Sequence, residues 1–112
     1  MKRFILPTIA IIISIVLLSA FSASSSDVKG RVIYDGKKDY HIVETEQFYV
    51  IVEWYEGVDF SKGDIIEGDL HSYQFKMVRV NNSKTMTRIY IENYWRTKEM
   101  CMDWLREHDL IK

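Results

Sequence analysis

From residue 28 onward, apolar residues recur at every second position in short runs separated by polar turns. Val28 to Tyr34 is the first run and predicts a strand. Asp35-Gly36 is a strong turn signal, extended by Lys37-Lys38-Asp39, and Tyr40 to Thr45 predicts the returning strand. A polar turn at Glu46 and Gln47 leads into Phe48 to Tyr55, a run dense in β-branched and aromatic residues. Alternation places Phe48, Val50, Val52 and Trp54 on one face and Tyr49, Ile51, Glu53 and Tyr55 on the other. The first set predicts the core face, because the second carries a charge and two phenols.

Gly57 to Gly63 predicts a loop anchored by Phe60. Ile65 to Ser72 then sends Ile66, Gly68 and Leu70 one way and Ile65, Glu67, Asp69 and His71 the other. Gly68 inside this strand predicts a sharp bend or a close backbone approach. Phe75 to Val80 and Met86 to Trp95 flank the polar turn Asn81-Asn82-Ser83-Lys84, the clearest hairpin in the chain. Ile89 and Ile91 are expected to face the core, with Arg88, Tyr90, Glu92 and Tyr94 outward. The period then changes: Cys101, Trp104, Leu105, His108 and Ile111 follow helical spacing. A helix is expected over 97–111, with Thr97 as N-cap and Glu99 in the first turn. The fold class predicted is mostly β: an OB-like or SH3-like barrel of five to six strands with a C-terminal α-helix. Closure suits so small a sheet because it removes exposed strand edges.

The N-terminus follows a different pattern. Lys2 and Arg3 precede an apolar run from Phe4 to Leu18, broken by Pro7, Thr8 and Ser14, and then the small residues Ser19, Ala20, Ser22, Ala23 and Ser24. This is the three-part pattern of a secretory signal peptide over residues 1–22, followed by a flexible lead over 23–27 and a single domain over 28–112. A secreted or periplasmic location is expected. The competing expectation is an uncleaved leader anchoring the chain, since Phe4 to Phe21 is barely long enough to span a bilayer. No cysteine follows the apolar run, which argues against a lipoprotein.

Composition adds three constraints. Hydrophobic residues make up 47% and charged residues 28% of the chain, a globular balance. All three Trp and all seven Tyr lie after residue 33, so a small core can bury large rings. The chain carries 15 basic and 16 acidic residues; removing Lys2 and Arg3 leaves 13 against 16, a net charge of −3. Generic nucleic-acid binding is not expected of such a domain. Lys76, Arg79, Lys84 and Arg88 bracket the hairpin and predict a solvated, edge-guarding set rather than a phosphate patch. Cys101 is the sole cysteine, so the domain must fold on packing alone.

Four segments carry a family likeness: Gly30-x-Val32, Asp39-Tyr40-His41-Ile42-Val43, Val50-Ile51-Val52-Glu53 and Gly63-Asp64-x-x-x-Gly68. Over residues 28 to 70 the chain resembles the small exported bacterial OB-fold proteins. In them a short strand pair precedes a Gly-Asp-x-x-x-Gly-like turn into the next barrel strand. The resemblance implies a barrel in the cell envelope, with ligand binding or stress tolerance as its role and no catalytic residues. The long hairpin and terminal helix depart from that pattern.

Catalytic chemistry has little to stand on. His41, His71 and His108 lack metal-site spacing, although His41 and His71 could meet across a sheet. Neither a Gly-x-Ser-x-Gly elbow nor a phosphate-binding glycine loop is present, and Glu67 with Asp69 is a pair expected by chance. No metal or cofactor is expected. Asn81-Asn82-Ser83 fits a glycosylation acceptor, relevant only to a eukaryotic secretory route. The feature with most binding potential is aromatic: Tyr49, Tyr55, Tyr90 and Tyr94 are expected away from the core face, where they could stack a ligand or be covered by the helix. The leading expectation is an exported, non-enzymatic binding module for a small ligand or an envelope protein. A structural or inhibitor-type protein docking through its helix comes second, and a small enzyme third.

Overall fold

A computed structural model of the chain describes residues 27–112. The alternating runs form six strands: β1 (Asp27–Asp35), β2 (Tyr40–Glu44), β3 (Tyr49–Glu56), β4 (Ile65–Asp69), β5 (Gln74–Val80) and β6 (Met86–Trp95). They close into a barrel in the order β1-β2-β3-β6-β5-β4, with every pair antiparallel. The expected small barrel with a terminal helix is therefore the architecture found, with six strands. The signal peptide expected over 1–22 and residues 23–26 of the lead lie outside the described residues, and Asp27 already belongs to β1.

Closure depends on β1. Its first half, residues 27–31, pairs with β4, and its second half, 31–35, pairs with β2. So tight a curve leaves little room inside. Gly68 provides it: a Cβ there would lie 2.7 Å from Val78 Cγ1 and 3.2 Å from the Met77 carbonyl. The close approach expected at Gly68 is thus present, and its diagonal neighbour Gly30 is tighter still against Val43.

The interior is filled by the inward residues of all six strands, among them Val32, Val43, Val50, Val52, Ile66, Val78, Ile89 and Ile91. Phe60 anchors the 57–63 loop in this core and is only 4% exposed. The carbonyl of Val58 ties the same loop down by accepting from the Thr87 hydroxyl at 2.8 Å and the Trp54 indole at 3.3 Å.

A second core lies outside the barrel. Helix α1 (Lys98–Glu107) starts at Thr97, whose hydroxyl accepts from the Met100 N–H. It lays Cys101 and Leu105 on Ile42 of β2 and Ile51 of β3, with Leu110 completing the cluster. Ile51, expected to face away from the core, is fully buried because α1 covers it. The helix stops short of the expected residue 111. Asp109 takes a left-handed conformation (φ 57°), its N–H donates to the Arg106 carbonyl at 3.1 Å, and the Leu110 N–H donates to the Leu105 carbonyl at 2.8 Å. This Schellman closure folds Leu110 back onto Leu105. The Lys37 N–H then donates to the Leu110 carbonyl at 2.7 Å, docking the chain end on the β1–β2 turn.

Candidate functional site

Helix α1 covers the Tyr49–Ile51 part of β3 and the Trp95 end of β6, and the face it leaves open is built by the Tyr55 part of β3, the Tyr90 part of β6 and β5. Two bulges decide what it displays. In β6, Ile51 pairs with Asn93 but Val52 pairs with Ile91, so Glu92 is an extra residue. In β3, Trp54 pairs with Ile89 and Glu56 with Arg88, which leaves Tyr55 as the extra one. An extra residue shifts the alternation that follows it.

The four tyrosines expected on one outer face are consequently divided. Tyr94, beyond the β6 bulge, is level with Val50 and packs against the barrel interior beside Phe48. This corrects its expected outward direction. It sits at the barrel mouth with Tyr73, whose ring stacks on it at 5.1 Å, and His71 at 6.3 Å. Tyr49 faces outward but under α1. Its carbonyl accepts from the Cys101 thiol at 3.4 Å and its phenol donates to Glu44 at 3.0 Å. That bond to Glu44, together with the Glu44 charge, pushes the phenol pKa upward.

Tyr55 and Tyr90 remain together on the open face, with ring centroids 6.4 Å apart. Phe75 of β5 joins them. It meets Tyr55 edge-on at 4.8 Å and Tyr90 edge-on at 4.9 Å. Arg88 lies over the Phe75 ring, its Cζ 4.2 Å from the centroid, and reaches Glu56 at 3.8 Å. Tyr55, Phe75 and Met77 are 45%, 42% and 51% exposed. Phe75 was not singled out in the sequence. The signal was available, because counting outward from the Asn81–Lys84 turn through Arg79 and Met86 sets Phe75 opposite Tyr90.

The electrostatics of this face come from two carboxylates. Glu53 is level with Tyr90 on one side and Tyr40 on the other. The Tyr40 hydroxyl donates to Glu92 at 3.1 Å, bringing the second carboxylate beside the first. Partial burial raises the Glu53 pKa above its ordinary value. The charges of Glu92 and Asp39 add to this, and hydrogen bonds from Tyr40 and Tyr55 hold part of it back. Burial and then the Glu53 charge raise the phenols of Tyr40 and Tyr55 as well.

The other candidates lie apart from one another. His41 and His71 do not meet. The His41 Nδ1 is 2.8 Å from Asp35 Oδ1 and its ring packs on Phe60, while the His71 Nε2 is 3.0 Å from the Thr45 hydroxyl. The Asp35–His41 pair was not foreseen. Asp35 also accepts from the Lys62 N–H at 3.0 Å, so the pair pins the 57–63 loop to β1 and β2. His108 caps α1, its Nδ1 2.7 Å from the Trp104 carbonyl. Among the described residues no group of three or more His, Cys, Asp or Glu is placed to hold a metal. The four hairpin cations do not form one patch, because Lys76 turns to Asp69 at 3.5 Å while Arg88 covers Phe75. Asn81 is occupied structurally, its amide donating to Asp64 and its carbonyl accepting from the Ile65 N–H.

An open depression of about 720 Å³ lies over the outer face of β1 and β4, lined by Lys29, Arg31, Glu44, Glu67, Arg79 and Asn82 among others. Its charges are mixed and no ring among the described residues lines it, so they give it no aromatic anchor to concentrate binding energy. No family model, no curated protein and no solved structure matches the chain.

Proposed function

We propose that the chain is an exported binding module, with no chemistry of its own, that engages an envelope partner through the outer face of β3, β6 and β5. The ring cluster of exposed Tyr55 and Phe75 with half-buried Tyr90 carries this reading. Tyr, Phe, Met and Arg are the residues enriched at recognition surfaces, and all four stand here, with Met77 beside Phe75 and Arg88. The rings are mounted on paired strands and brace one another edge to face, so little order is lost on binding. Closure favours side-chain recognition over strand addition, which needs a free edge. Export rests on the leader pattern at residues 1–22.

The test is an amide-resolved NMR titration with cell-wall oligosaccharides, single-stranded oligonucleotides and short peptides. Saturable shifts on β3, β5 and β6 that vanish in the Tyr55→Ala/Tyr90→Ala variant are expected. Shifts that persist in the variant, or that map to β1 and β4, would remove the aromatic face from the reading.

A second reading has its own observation. Met100 is 47% exposed on α1, and with Trp95 and Trp104 it lines a shallow depression that a partner could cover. Met100→Glu would then block association while Tyr55→Ala would not.

A further inference from the structure

Among the described residues nothing covers Tyr55, Tyr90 and Phe75 on the face of β3, β6 and β5, and the charge of that face indicates what would cover it. Pairing of β3 with β6 sets Glu53 and Glu92 close together on this face. The ion pairs found among the described residues include neither of them. Arg88, a cation of the same face, is directed over Phe75 and toward Glu56 instead. Tyr55 and Tyr90 stand beside Glu53 on the same side of the sheet, and a carboxylate pair next to aromatic rings attracts a cation. A phosphate or carboxylate ligand would be repelled.

We infer that the occupant is a protein presenting an extended basic segment. One arginine or lysine side chain of that segment seats against Tyr55 and Tyr90, with its charge on Glu53 and Glu92. The inference rests on the aromatic face being the binding surface. Two features favour a protein segment over a compact cation. Phe75 and Met77 continue the exposed apolar surface away from the carboxylates, farther than a small ion reaches. The face is also an open strand surface, suited to an occupant that spans several rows of side chains. The carboxylate pair opposes folding, since like charges on neighbouring strands repel. Groups held against their own preference in this way are what a recognition site leaves behind.

The test uses three decapeptides of one Gly-Ser frame carrying three arginines, three citrullines or three glutamates, titrated into the purified full chain by NMR. The arginine peptide alone is expected to give saturable shifts centred on Glu53 to Tyr55 and Tyr90 to Glu92. The Glu53→Gln/Glu92→Gln variant should weaken it about tenfold or more, as loss of a close charge pair does. The same variant should melt at a higher temperature than the parent, so a loss of binding cannot be ascribed to misfolding. Raising the ionic strength from about 0.05 M to about 0.5 M should also weaken binding severalfold. Equal binding of the citrulline peptide, unchanged binding by the glutamine variant, or no shifts with the arginine peptide would each overturn the basic partner. Displacement by spermine at equal charge concentration would overturn the protein segment in favour of a compact cation. Saturable shifts from the glutamate peptide or an oligosaccharide on the same rings would overturn the inference and leave the aromatic face standing as the binding surface.

Discussion

At the scale of single residues, burial decides reactivity. Cys101 lies on the side of α1 that faces β3, fully buried, and burial pushes its thiol up to about 12. A thiolate is the reactive form, so at pH 8 the folded protein should resist a thiol reagent and label rapidly only in concentrated guanidinium. Fast labelling without denaturant would show that α1 lifts readily from the barrel. Asp35 is the opposite case. Burial works to raise its carboxyl, but the Lys62 N–H and the bond and charge of His41 outweigh this and lower the pKa below 3.8. A depressed carboxyl contributes stability above its unfolded pKa, and this is lost as pH falls through the folded value. Asp35→Ala should therefore cost about 1.5–3 kcal/mol near pH 7, the range for hydrogen bonds to a charged group. Denaturant melts should show the gap to the parent closing below about pH 4. A gap that stays constant down to pH 2 would show that the carboxylate charge is not what holds the loop.

At the scale of elements, the fit between neighbours sets tolerance. Gly68→Ala drives a methyl group into Val78, and overpacking of this kind costs about 1–3 kcal/mol. Val78→Ala in the same chain should recover part of that loss, a coupling that a double-mutant cycle would read directly. Additive losses would place the strain elsewhere. Asp109, in the left-handed position that ends α1, is where glycine is usually found. Asp109→Gly should raise stability by about 0.5–1 kcal/mol, measured by thermal melting. Much of this scale was legible in the sequence. Alternation in β3 located Val50 and Val52 inside, the Asn81–Lys84 turn located the hairpin, and Thr97 located the start of α1. The direction of Tyr94 was not legible, because one extra residue in β6 reverses the alternation and no side chain announces it. The helix end was missed at Asp109 because the left-handed turn carries aspartate where the usual signal is glycine.

At the scale of the whole molecule, two cores share β2 and β3. Val43, Val50 and Val52 fill the barrel, while Ile42 and Ile51 lie under α1. Leu105→Ala should therefore lower stability by about 2–5 kcal/mol, as core truncations do, and unfolding should remain one transition by both far-UV signal and Trp104 fluorescence. Separate transitions would mean that the helix and barrel are independent. Strand closure is where sequence reasoning stops. The pairings of β1 with β4 and of β3 with β6 join segments far apart in the chain, and no local pattern encodes them. The ring cluster depends on the second of these pairings, which explains why Tyr55 and Tyr90 could be named in the sequence without their grouping being known. Because α1 covers one side of the barrel only, inheritance acts on the two sides differently. Descendants of this chain must keep β2, β3 and the helix matched to one another through every substitution. The outer residues of β5 and the stretch of β6 around Arg88 and Tyr90 lie outside the helix-side core that holds Trp95, so the lineage can exchange one recognition specificity for another there while the scaffold stays unchanged.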